Sequence, residues 1–137
     1  MEFEFRLQGG DFTDAGQASS CVKKYLKESK VDQSIIRRCV VALFEAEINV
    51  VAHANHGSIK VKITDNEILM MIEDFGPGIE NIDLAMSEGY STASDAVREM
   101  GFCAGMGLPN IKRNADEFEI DSVLGIGVNA KIVIYLK

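Results

Sequence analysis

The stretch from residue 58 to residue 72 constrains the fold more than any other. Ile59, Val61 and Ile63 alternate with Ser58, Lys60 and Lys62. That period of two predicts a half-buried strand. Asp65-Asn66 supplies a turn, and Ile68, Met70 and Ile72 resume the alternation on a return strand. Leu69 and Met71 lie between them and predict that the other face of this strand is covered too. The pattern recurs at the C-terminal end, where strands over Phe118–Val123 and Val128–Leu136 flank a turn containing Gly125 and Gly127. Near the start, Phe3, Phe5 and Leu7 alternate with Glu2, Glu4 and Arg6 before Gly9 and Gly10 end the run.

Two helices stand between the first strand and the central hairpin. Thr13 or Asp14 can cap the first, whose apolar positions Ala18, Cys21, Val22, Tyr25 and Leu26 keep helical spacing. The second spans about Gln33 to Ala54, with Ile36, Val40, Phe44, Ile48 and Val51 as its core stripe. Residues 76–107 read as loop with a short helical patch near Ile82 to Met86, and a further helix runs from about Pro109 to Asp116. Strands that come in pairs predict a mixed, mostly antiparallel sheet with helices on one face. This is an α+β fold, a two-layer α/β sandwich.

The chain has 137 residues, of which 47% are hydrophobic and 26% charged, which suits one globular domain. A net charge of −7 argues against a nucleic-acid partner, because phosphates repel it. No apolar run reaches the roughly 20 residues that span a bilayer, and the charged N-terminus MEFEFRLQGG is not a signal peptide. The odd set Cys21, Cys39 and Cys103, with no CxxC pair, predicts reduced thiols and a cytoplasmic location.

Three polar clusters stand out. Glu45, Asn49 and His53 lie at i, i+4 and i+8 and share one side of the second helix. Most such edges are simply solvated. Aimed into a cleft, Asn49 would offer a neutral oxygen to a hard cation such as magnesium, and Glu45 could take a proton from a nucleophile. The second cluster is DFGPGI, Asp74 to Ile79. A carboxylate at the end of a buried strand needs a donor, and an exocyclic amine of adenine is one. Gly76 and Gly78 would let a flat base approach, although Gly-Pro-Gly also makes ordinary turns. The third is GFCAGMGLPNIKRNAD, Gly101 to Asp116, where glycines lead into a helix and form an anion site. Asp74-Phe75-Gly76 mimics the protein-kinase DFG motif, but the chain has neither the length nor the companion motifs of that fold. His53 and His56 lack further nearby ligands for a metal site, the six Met suit core filling, and Lys112 and Arg113 are by default solvated helix charges, the alternative being that they reach phosphate.

The order ExxxN, DxGxGI, then GxG opening a helix resembles the GHKL ATPase superfamily, whose Bergerat-type sandwich agrees with the fold read above. Within it the chain is most similar to the stand-alone serine/threonine kinases of bacterial anti-sigma regulation. The stretches FEAEINVVAH, EDFGPGIENIDLAM, GYSTASD and GMGLPNIKRNADEFEIDS carry the resemblance, with the closing strand, over nearly the whole chain.

The resemblance implies roles position by position. Glu45 would activate the acceptor hydroxyl, Asn49 would hold magnesium, and His53 would lie near the nucleotide. Asp74 would pair with adenine, with Gly76, Gly78 and Ile79 beside it. Residues 88–104 would form an ATP lid, with Ser91 and Thr92 approaching the phosphates. Gly105, Met106, Gly107 and Leu108 would form the phosphate-cradling second glycine box. Two departures matter. Val128 and Asn129 follow Gly127 where the family often has Thr, so either a hydroxyl bond worth about 1 kcal/mol is missing or Asn129 replaces it. Phe102-Cys103-Ala104 stands where some anti-sigma members carry Arg, and GLPNIKR looks closer to the switch-kinase branch.

The implied activity is transfer of the γ-phosphate of Mg-ATP to a Ser or Thr of a small STAS-type anti-sigma antagonist. A sigma factor is a further partner candidate, and the family's habit of dimerising leaves a homodimer open. The alternative is a module that binds ATP and sequesters a sigma factor or other regulator without phosphotransfer. A histidine-kinase catalytic domain acting in trans ranks last, because no dimerisation and phosphoacceptor helix pair precedes the domain.

Overall fold

The computed structural model describes residues 1–13, 15–79, 82, 86 and 107–137. The described strands are β1 (Glu2–Gln8), β2 (His56–Ile63), β3 (Glu67–Phe75), β4 (Glu117–Val123) and β5 (Gly127–Tyr135). They form one sheet in the order β1-β2-β3-β5-β4. All four pairings are antiparallel; β2–β3 and β4–β5 are hairpins, whose short connections allow no other pairing. The described helices are α1 (Gln17–Glu28), α2 (Gln33–His53) and α3 (Gly107–Asn114).

The alternation in sequence becomes the two faces of the sheet. Leu7, Ile59, Val61, Ile68, Met70, Ile72, Ile132 and Ile134 point inward and join Val22, Leu26, Leu43, Val50 and Ile111 of the helices in one core. Each such aliphatic chain contributes about 1.5–3 kcal/mol when fully buried. The outer face differs from expectation at Met71, which is 51% exposed. Its neighbours across β2 and β5 are Lys60 and Lys131. Among the described residues no layer covers it there, so the apolar residue marks a solvent face rather than a second core.

Helix α2 is buried more widely than its five-residue stripe predicts. Ile36, Ile48 and Val51 are buried and Val40 and Phe44 partly so, but Cys39, Ala42, Leu43, Ala46, Glu47 and Val50 are buried too. The helix packs against α1, α3 and the sheet at once, which a single amphipathic stripe cannot encode.

The N-terminus of α1 is a third departure. Of the two predicted caps, Thr13 bonds Asp11 instead and Asp14 lies outside the described residues; the cap position is Gly16, which makes no side-chain cap. The capping oxygens come from Glu47 on α2, whose side chain is wholly buried. Its Oε2 accepts from Gly16 N at 2.7 Å and Ala18 N at 3.3 Å, and its Oε1 from Ser19 N at 2.8 Å. A carboxylate can be buried here because helix-terminal N–H groups solvate it.

Helix α3 begins and ends earlier than its sequence pattern suggests. Arg38 Nε donates to the Asn114 carbonyl at 3.0 Å and Arg38 Nη2 lies 3.1 Å from Asp116. Asp116 also accepts from Tyr135 N, so it belongs to the turn into β4.

Candidate functional site

The site forms where the C-terminal half of α2 meets the end of β3 and the start of α3. On α2, Glu45 and Asn49 are half-buried and both face the first residue of α3. A Cβ at Gly107 would stand 3.1 Å from Asn49 Oδ1 and 3.4 Å from Glu45 Oε2. Glycine at 107 therefore lets the N-terminus of α3 come down onto a carboxylate and an amide. That end presents backbone N–H groups and the positive pole of the helix. Asn110, one turn further, donates from Nδ2 to Glu45 Oε1 at 3.4 Å.

The other half is built on Asp74. It points inward from the end of β3, opposite Gly57 on β2 and Val128 on β5. Gly57 is required by this packing: a Cβ there would lie 2.8 Å from Val50 Cγ1 and 3.1 Å from Asp74 Cβ. Asp74 Oδ1 accepts from the Val128 N–H at 3.0 Å, and no bond from a described residue reaches Oδ2. Burial pushes the carboxyl above the usual Asp range, and the Val128 bond partly offsets this. Asn129 is on the opposite face, paired with Glu73 and Asp121. It cannot stand in for the missing threonine hydroxyl. The backbone of Val128 holds Asp74 instead.

The glycines after Asp74 have a nearer reason than base approach. A Cβ at Gly76 would meet Ala54 Cα at 2.8 Å and the His53 carbonyl at 3.2 Å, so the loop packs on the end of α2. Gly78 has φ of +76°, where L side chains are strained, and a Cβ would lie 2.7 Å from the Val123 carbonyl. Ile79 N donates to Ser122 Oγ at 2.6 Å, and Gly76 N and the Pro77 carbonyl bond the β4–β5 turn. The loop is thus knitted to that turn. His53 is half-buried, and burial holds its imidazole below the usual His pKa, favouring the neutral form.

Of the residues singled out in sequence, Glu45 and Asn49 meet at Gly107, with Leu108 next in α3. Gly76, Gly78 and Ile79 follow Asp74 in a loop held by the end of α2, by Ser122 and by the β4–β5 turn, and the His53 carbonyl borders Gly76. Ser91, Thr92, Gly105, Met106 and residues 88–104 lie outside the described residues, as does Cys103. Asn110, Gly57 and Ser122 are not singled out by sequence as site contributors, and Val128 stands out there only as the departure from threonine, not as the backbone donor to Asp74. Asn110 stood in the quoted GLPNIKR text, but only the packing of α3 on α2 brings it to Glu45.

The donor set fits a magnesium nucleotide. Among the described residues Asp74 keeps one oxygen open to an amine donor, while Asn49 and Glu45 offer oxygen ligands beside a helix N-terminus suited to phosphate. Among the described residues no three His, Cys, Asp or Glu side chains converge on a metal position. Magnesium, which retains water and phosphate oxygens as ligands, does not need such a cage.

This fold and site match a known class. The signature of the family described as "Histidine kinase-like ATPase domain" covers residues 11–131, and the chain belongs to that family. It is an enzyme domain of the kinase-like ATPase type.

Among individual proteins, it is similar to the serine/threonine-protein kinase RsbT of Bacillus subtilis, with 32% identity over 93% of this chain and 90% of the relative. It is also 28% identical to an anti-sigma F factor of Caldanaerobacter subterraneus subsp. tengcongensis, over 74% of this chain and 63% of that protein. In architecture it resembles a chain in the crystal structure of the SiaB-SiaC complex from Pseudomonas aeruginosa, with a TM-score of 0.65 at 14% identity over 96% of this chain and 88% of that one. The mycobacterial sensor histidine kinase MprB gives a TM-score of 0.54 at 15% identity, over 98% and 97% of the two chains. Among the described residues no helix is long and apolar enough to cross a membrane.

Proposed function

We propose that the protein is a cytoplasmic serine/threonine-protein kinase of the partner-switching type, acting on a Ser or Thr of a small STAS-type anti-sigma antagonist. The observation that carries this reading is the meeting of Glu45 and Asn49 at Gly107. A base and a metal-binding amide then stand at the helix end suited to the phosphates of ATP. The 32% identity to a serine/threonine kinase over nearly the full chain supports it.

Each residue then has a task. Asp74 accepts from the adenine amine. Gly107 and Leu108, with Gly105 and Met106, surround the phosphates, which Ser91 and Thr92 approach from the lid. Asn49 holds magnesium, which supplies charge neutralisation at the phosphates when bound. His53 lines the nucleotide side in its neutral form. The acceptor hydroxyl oxygen bonds to the γ-phosphorus as the bond to the β-phosphate oxygen breaks; ADP leaves and the hydroxyl proton passes to Glu45. Incubation with ATP, magnesium and the partner gives phosphoserine or phosphothreonine, and Glu45→Ala abolishes it. Undiminished product from Glu45→Ala would remove Glu45 as the base.

The similarity to anti-sigma F factors favours a second reading, in which the protein sequesters a sigma factor. Pull-down separates the two: partner capture by wild type and Glu45→Ala alike, with no phosphorylated product from either, selects sequestration alone.

A further inference from the structure

We propose that Asn110 is a positioning residue for Glu45. Its Nδ2 holds Oε1 of the carboxylate, leaving Oε2, on the Gly107 side, to take the proton of the acceptor hydroxyl. The inference rests on the kinase reading above and deepens it.

Asparagine is a poor residue for the middle of a short helix, because its amide competes for backbone groups. Asn110 stands in α3 with its side chain half-buried against α2. Its Nδ2 lies 3.4 Å from Glu45 Oε1, while Gly107 faces the other oxygen, Oε2. The two carboxylate oxygens therefore have different surroundings. A carboxylate is acceptor-only, so the Asn110 amide must turn its NH₂ and not its oxygen toward Glu45.

The placement is fixed from both ends of α3. Gly107 allows close approach at the first residue. At the last turn, Arg38 of α2 binds the Asn114 carbonyl and pairs with Asp116, and Asn114 Nδ2 donates to the Asn110 carbonyl at 2.8 Å. This clamp sets the register in which position 110 falls opposite position 45. The terminal torsion of Glu is otherwise broad, and a base must present one oxygen within about 2.6–3.2 Å of the proton it takes. A long bond of 3.4 Å is the kind that tightens once substrate is in place.

The test uses the full chain. STAS-domain proteins of the same genome are offered in turn with γ-labelled ATP and magnesium, and the one that wild type labels becomes the substrate. Asn110→Ala and the isosteric Asn110→Asp should each lower kcat about tenfold or more, as expected for losing a bond to a charged group. ATP affinity by calorimetry should stay within about twofold. A second readout needs neither nucleotide nor turnover: in ¹⁵N-labelled free protein, Glu45→Ala should shift the Asn110 side-chain amide signals. An undiminished kcat in Asn110→Asp, equal losses in kcat and ATP affinity, or Asn110 signals unmoved by Glu45→Ala would each overturn the assignment while leaving the kinase reading intact. No labelled partner with wild type would overturn both.

Discussion

The backbone N–H of Val128 holds the carboxylate of Asp74, 3.0 Å from Oδ1, across the β3–β5 pairing. Val128 shares the inner face with Asp74, so its side chain borders the oxygen that a family threonine would support. Val128→Thr should tighten ATP binding by up to about fivefold, the equivalent of one hydrogen bond near 1 kcal/mol. Asn129→Ala, on the outer face, should leave it unchanged. Calorimetric titration with ATP decides; equal effects at the two positions would refute the facing.

Glu47 should be the costliest single truncation in the helical layer. Glu47→Ala leaves three helix-terminal N–H groups without their acceptor and opens a cavity beneath α1. The expected loss is about 3–5 kcal/mol, as for breaking a buried charged contact. Glu47→Gln, which keeps one acceptor oxygen, should cost less. Urea unfolding of the two variants measures the difference, and a loss under 1 kcal/mol in Glu47→Ala would contradict the capping role.

Stability should fall on mild acidification, with His53 as one source. Burial depresses its folded pKa below 6.5, so the unfolded chain binds the proton first. The stability it contributes is present above about pH 6.5 and is lost as pH drops toward the lower folded value. Replacement by Gln should flatten the curve between about pH 7 and 5. Thermal unfolding across that range checks the slope; identical slopes would exclude His53.

The two described thiols should react very differently. Cys21 is exposed and Cys39 is buried, with its thiol pushed up to about 12 chiefly by desolvation. Only thiolate attacks a disulfide reagent. Peptide mapping after labelling at pH 8 should find Cys21 modified and Cys39 protected until the chain unfolds. Equal labelling in the folded state would contradict the packing of α2 against the core.

Much of the fold was legible because its signals are local. Alternation at Phe3–Leu7, Ser58–Ile63 and Ile68–Ile72 specifies strands and their inner faces, since the side-chain period of a strand is two whatever it packs against. The i, i+4 spacing of Glu45 and Asn49 likewise places them on one side of α2 before any tertiary contact exists. Met71 misled because an apolar residue on an open sheet face has the same letter as one in a core.

The sequence by itself determined the strand and helix segments, the antiparallel character of the sheet and the shared side of Glu45 and Asn49, all consequences of backbone periodicity. Tertiary structure alone decided what those residues face. Glu47, two positions and so about 200° around the helix from Glu45, is turned toward α1, where it caps rather than catalyses. Asp74 meets Val128 because strand register brings residues 54 apart in sequence together. Asn110 reaches Glu45 because the Arg38 clamp sets how α3 lies on α2. Such pairings depend on where whole elements dock, and no local spacing records that.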